Sequence, residues 1–272
     1  VLAHERIGEG PPLLLIHGIG HRRQAWYPVV DLLAPHREVI LVDLPGHGQS
    51  PSWAPRGRPA RDYMREQFEA FHADLGLNRP HVAGNSLGGL IALESAVDGR
   101  ASSVTALSPA GFWKGEQDFA YIERLFRTVV VAAGYSQHIA PILAHTGAGR
   151  MLMMSWAMAH PRRLTAEAAI GDLRAMLRAR PALHSLLGQA YSFDGDVPAD
   201  VPVTIAWGKR DHVLRTYQAE RARKLMPEAT HRWLRGCGHV PMSDRPRLIA
   251  DVLLKGSSTP LLAAAPLAAE VS

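Results

Sequence analysis

Cysteine is almost absent from the 272 residues: Cys237 stands alone, which excludes a disulfide within the chain. Folding therefore does not depend on an oxidising compartment, and the cytoplasm is the default expectation. Also missing is any apolar run of the roughly 18 residues that a membrane-spanning helix needs. The opening Val1-Leu2-Ala3-His4-Glu5-Arg6 has no basic region followed by an apolar core, so it does not read as a secretory signal. Lysine is scarce. Of 30 basic residues only Lys114, Lys209, Lys224 and Lys255 are lysines, and the arginines are scattered among 25 acidic residues. A net charge of +5 without a basic tract reads as a solvated surface with mild attraction for anions, and nucleic acid is not an expected partner.

What is present is ordinary for a soluble globular chain: 47% hydrophobic and 20% charged residues, enough to bury a sizeable core. One stretch organises the rest. His81-Val82-Ala83-Gly84-Asn85-Ser86-Leu87-Gly88-Gly89-Leu90 is an apolar strand that ends in G-N-S-L-G and passes directly into a helical pattern. This is the G-x-S-x-G nucleophile elbow, in which a sharp strand-to-helix turn lifts a serine hydroxyl clear of the sheet. Glycines two positions either side of Ser86 remove side chains that would collide there. The helix starting at Leu87 aims unsatisfied amides and a positive dipole end at charge developing beside the serine, so the Leu87 N–H is half of an oxyanion hole.

The flanking sequence repeats a βα rhythm. Leu13-Leu14-Leu15-Ile16 and Glu38-Val39-Ile40-Leu41-Val42-Asp43 are apolar runs of strand length, the pattern of strands covered on both faces in a parallel sheet. Residues 1–7 read as a short edge strand, and Asp62 to Leu75 as a helix with one apolar stripe. Further strands are expected at Ser103–Leu107, Val201–Trp207 and Thr230–Leu234, with a closing helix from Arg247 to Leu254. Between Phe112 and about Val201 the rhythm stops, and the segment reads as helices broken at Gly134, Pro141, Gly147, Pro161 and Pro181.

Five motifs follow one another in a familiar order: His17-Gly18-Ile19-Gly20, Asp43-Leu44-Pro45-Gly46-His47-Gly48-Gln49-Ser50, the elbow, Trp207-Gly208-Lys209-Arg210-Asp211 and Gly238-His239-Val240-Pro241. Together they resemble the α/β-hydrolase superfamily over most of residues 1–255. The resemblance implies a mostly parallel sheet with helices on both faces and a helical cap inserted after the sixth family strand. The expected division is a core of 1–111 and 201–255, a cap of 112–200 and a flexible tail of 256–272. It also implies that the Ile19 N–H is the second oxyanion donor and that His17 braces its loop rather than reacting. Asp211 lies at a strand's carboxyl end, whereas Asp196 precedes that strand, and no carboxylate follows Leu107 until Glu116. Ser86, Asp211 and His239 thus stand in the chain order of this family's catalytic triad.

Such a triad implies acyl-enzyme chemistry with no metal and no organic cofactor. The expected substrate is a small molecule: a carboxylic ester, lactone or thioester with a small to medium apolar acyl group. A serine at the elbow argues against the dehalogenase and epoxide-hydrolase branches, which carry aspartate there. Carbon–carbon hydrolysis of ring-fission products, cofactor-free haloperoxidase or perhydrolase chemistry, and a slow ligand-binding relic remain as alternatives. For the pocket, Trp26, Met153, Trp156 and Val240 are candidates. The Met151–Met158 run reads first as the cap's own core and second as an adaptable apolar lining. Oligomeric state is not legible.

Overall fold

Alternation along the apolar runs fixes the architecture. In the computed structural model, which describes residues 1–189 and 191–258, Leu13 and Leu15 point to one side of a central sheet while Leu14 and Ile16 point to the other. Both sides are therefore core, as continuous apolar strands require. Seven strands form this sheet: β1 (His4–Ile7), β2 (Pro12–Ile16), β3 (Glu38–Val42), β4 (His81–Asn85), β5 (Ser103–Leu107), β6 (Val203–Gly208) and β7 (Thr230–Leu234). Their spatial order is β1-β3-β2-β4-β5-β6-β7, with β1 antiparallel at the edge and every other pairing parallel.

One face of the sheet is covered by α1 (Tyr27–Leu33) and α10 (Pro246–Gly256), which pack on each other; Val29, Leu33, Ile249 and Leu253 join Leu13 and Leu15 there. The opposite face carries α2 (Ala60–Asp74) and α3 (Leu87–Val97), with Phe68, Phe71, Leu90 and Ile91 against Leu14 and Ile16. Near the end of the chain α9 (Tyr217–Leu225) lies between β6 and β7 in sequence. Because the central strands run in parallel, their carboxyl ends and the loops after them gather along one edge, where open α/β sheets bind ligands.

Between β5 and β6 the chain is helical: α4 (Glu116–Ser136), α5 (Ala140–Ala144), α6 (Gly147–Met154), α7 (Ala166–Arg178) and α8 (Arg180–Gly188), with a 3-10 turn at Pro161–Arg163. The expected breaks at Pro141, Gly147, Pro161 and Pro181 fall where new helical elements begin. Pro141, Pro161 and Pro181 occupy the first turn of their elements, where a missing N–H costs nothing and the fixed φ suits the helix. Gly134 breaks nothing, since α4 runs through it. A Cβ at that position would lie 2.5 Å from Arg180 Nη2, so the glycine admits a crossing side chain instead. The first two residues of the expected tail belong to the packed core instead. Helix α10 continues to Gly256, and Ser257 is buried, taking hydrogen bonds from Arg37 at Oγ (3.1 Å) and at its carbonyl (2.9 Å). The rest of that expectation, residues 259–272, lies outside the described residues. Among the described residues no helix is long and apolar enough to cross a membrane.

Candidate active site

The turn from β4 into α3 is a strained point on the carboxyl edge of the sheet. Ser86 adopts φ 58° and ψ −117°, a region that non-glycine residues rarely occupy unless the surroundings impose it. The imposition is visible. Ser86 N–H donates to Leu107 O at 3.0 Å, while its own carbonyl accepts from Leu90 N–H (3.1 Å) and Ala110 N–H (3.0 Å). Both flanking glycines are required by contact rather than by φ. A Cβ on Gly84 would fall 2.0 Å from Gly88 O, and one on Gly88 would fall 2.1 Å from Ile16 O.

Two other side chains meet nearby. His239, on the loop after β7, donates from Nδ1 to Asp211 Oδ2 at 2.8 Å, with both residues buried. A carboxylate only accepts, so the proton sits on Nδ1 and the Nε2 lone pair is left available. Asp211 Oδ1 is held in turn by the amides of Val213 (2.9 Å) and Leu214 (2.8 Å), which fix the carboxylate at the end of β6. Ser86 and His239 open onto the same cavity, of about 420 Å³, together with Ile19, Met153, Trp156 and Val240. Leu87 faces a second and smaller space behind Ser86. Trp26 belongs to neither: it is fully buried among Val29, Val30 and Leu33 beneath the sheet, so its expected place in the pocket is corrected to core packing. In α1's approach to the sheet, the large apolar ring satisfies burial better than the cavity rim would.

The Gly18–Gly20 loop rests on two buried imidazoles. His17 Nε2 accepts from Leu44 N–H at 3.0 Å and its Nδ1–H donates to Gly18 O at 2.7 Å. His47 Nε2 accepts from Gly20 N–H at 3.0 Å and its Nδ1–H donates to Pro45 O at 2.9 Å. Each ring is a neutral spacer with one donor and one acceptor. Burial drives the His47 pKa down to about 4, and burial followed by the charge of neighbouring His47 holds His17 well below its ordinary value. Beneath them Asp43 accepts from the amides of Arg23 (2.7 Å) and Gln49 (2.9 Å) and pairs with the Arg23 guanidinium.

Three of these supports are not evident from the sequence. His47 lies within a turn-rich motif whose glycines draw attention first. Asn85 donates from Nδ2 to Leu107 O (3.0 Å) and to His239 O (2.9 Å), tying the turn before Ser86 to the histidine loop across 154 positions. Asp244, fully buried, accepts from Gly238 N–H at 2.8 Å and from the amides of Ala159 (3.0 Å) and His160 (2.6 Å). Its only sequence signal is a carboxylate a few residues after a glycine-rich His loop.

Comparison with known proteins identifies the family. The family described as the alpha/beta hydrolase family matches residues 13–252. The chain belongs to that family. Among relatives, an uncharacterized protein of Mycobacterium tuberculosis is 30% identical over 269 residues, covering 90% of this chain and 75% of its own. The pimeloyl-[acyl-carrier protein] methyl ester esterase of Aeromonas hydrophila is 26% identical over 259 residues, covering 92% and 96%. Among solved structures, a membrane phospholipase A superposes with a TM-score of 0.70 at 25% identity, over 94% of this chain and 83% of that one. The helical insertion, expected after the sixth family strand, follows β5 as strands are counted along this chain.

Proposed function

We propose that this α/β hydrolase is a serine hydrolase that cleaves a carboxylic ester, lactone or thioester with a small to medium apolar acyl group. The observation that carries the reading is the conjunction at one cavity of a strained Ser86 and of His239, whose tautomer is set by buried Asp211. Ser86 Oγ attacks the carbonyl carbon as its proton passes to His239 Nε2, and the π-electron pair moves onto the oxygen. The amides of Ile19 and Leu87 hold that oxyanion. Collapse breaks the bond to the leaving group, which takes the proton from His239. Water then repeats the sequence: it bonds to the acyl carbon, gives a proton to His239, and expels Ser86 Oγ, which recovers that proton. Asp211 orients the imidazole and stabilises its charged form without taking the proton.

The helices of 112–200 serve as a cap in this account. Met153 and Trp156 of the insertion line the cavity with Ser86 and His239, and apolar surroundings that displace water strengthen charge interactions at the reacting carbon. The similarity to an esterase over nearly the whole length supports the same chemistry. No step calls for a metal or organic cofactor. The test is hydrolysis of a p-nitrophenyl ester series by the native chain and Ser86→Ala. Turnover confined to the native chain supports the reading. A chain that ignores esters but consumes a ring-fission dienoate is a carbon–carbon hydrolase instead.

A further inference from the structure

Ser86 lines two apolar spaces of very different size. The large cavity, about 420 Å³, contains His239, Asn85 and Val240 in its wall. The small one, about 60 Å³, contains Leu87, Leu90 and Leu186 and lacks His239. Ile19, Ser86 and Phe126 form the partition that both share.

Resting on the proposed function, we infer that the acyl group occupies the small space and the alcohol the large one, so that the substrate class is a short-chain ester of a bulky apolar alcohol. The chemistry sets the direction. With the carbonyl carbon over Ser86 Oγ and its oxygen toward the Ile19 and Leu87 amides, two substituents remain to be placed. The leaving oxygen must lie within hydrogen-bond reach of His239 Nε2, because that nitrogen delivers its proton as the carbon–oxygen bond breaks. It therefore departs on the His239 side, into the large cavity. The acyl substituent is left to face the opposite side, behind the partition.

The two walls differ in stiffness as well as volume. Around the small space the segments are pinned: Trp113 Nε1–H donates to Tyr191 O (2.9 Å), Tyr191 O–H donates to Glu94 Oε2 (2.9 Å), and Ala60 N–H donates to Gln189 Oε1 (2.9 Å). The first bond lies within the helical insertion and the other two join it to α3 and α2, so moving these segments apart means breaking them. By the rule that a water-sized group needs about 10–15 Å³ of such volume, the space takes on the order of four heavy atoms. Around the large cavity stand Met153, Met154, Met158 and Met176, unbranched side chains that re-pack around varied shapes. The acyl side discriminates by length and the alcohol side tolerates bulk.

Two ester series on the full chain decide the matter: methyl esters from acetate to decanoate, and acetates of alcohols from methyl to naphthylmethyl. Activity that falls at least tenfold in kcat/KM from methyl butyrate to methyl octanoate, and rises at least tenfold from methyl to naphthylmethyl acetate, is the expected result. Leu186→Ala, which opens the small space, should bring methyl hexanoate at least fivefold closer to methyl butyrate. Met153→Trp should lower the optimum alcohol size without moving the acyl limit. A reversed ranking, with methyl esters improving through octanoate and acetates indifferent to their alcohol, overturns the assignment while leaving the hydrolase intact. Hydrolysis of neither series would overturn the proposed function, and this inference with it.

Discussion

Asp244 Oδ2 accepts the Gly238 N–H at 2.8 Å, one residue before His239, while the same carboxylate holds the amides of Ala159 and His160. One buried side chain thereby locks the histidine loop to the helical segment that covers it. Asp244→Ala leaves the buried Gly238 amide and the half-buried amides of Ala159 and His160 without a partner, and a buried orphan costs about 1–3 kcal/mol. The variant should lose about 3 kcal/mol or more of stability, read as a lower urea midpoint. It should also lose at least tenfold in kcat as His239 gains freedom. Unchanged kcat in folded Asp244→Ala would remove Asp244 as a positioning residue.

Stability should fall with acid through His47 and His17. Both are neutral in the folded protein, with His47 lowered from 6.5 to about 4 and His17 lowered in the same direction. In the unfolded chain each binds a proton once pH drops below about 6.5. Between that value and about 4 the unfolded state holds the extra proton, so stability declines as pH falls, by about 1.4 kcal/mol per pH unit for one such histidine. Urea midpoints at pH 8, 6 and 5 measure the decline. His47→Gln, whose amide oxygen still accepts from Gly20, should flatten its share of the slope.

Gly84→Ala and Gly88→Ala should each be severely destabilising, because the added Cβ would press on backbone rather than on a yielding side chain. A loss of about 3 kcal/mol or more in each is expected, at the upper end of overpacking costs. Gly99→Ala is the contrast. Nothing lies within 4 Å of its Cβ, although its φ of 70° still strains an alanine, so its loss should be the smaller. Equal midpoints for all three would contradict the crossing geometry at the turn.

Burial pushes the Cys237 thiol up to about 12, with the charge of Asp244 adding to the shift. Little thiolate exists at neutral pH, so Ellman's reagent should react with the native chain at least a hundredfold more slowly than with the urea-unfolded chain. Rapid native labelling would show that the loop before His239 opens readily.

The sheet was legible because its code is local. Leu13–Ile16 and Glu38–Val42 are continuous apolar runs, and glycines mark the turn at Ser86 whatever surrounds them. In the insertion the prolines at 141, 161 and 181 mark breaks between helical elements, each standing in the first turn of the next one. Gly134 and Trp26 do not follow their expected roles. Their roles depend on Arg180 and on the underside of the sheet, partners that no spacing reveals. The braces His47, Asn85 and Asp244 are of the same kind, since their meaning lies in which distant amide or carbonyl they reach.

The most direct test of the central claim is mass spectrometry of the intact chain after treatment with a fluorophosphonate, followed by peptide mapping. The account predicts a single adduct on Ser86, absent in Ser86→Ala and formed at least a hundredfold more slowly in His239→Ala, because the hydroxyl is reactive only while His239 takes its proton. An unlabelled native chain, or equal labelling with and without His239, would contradict it.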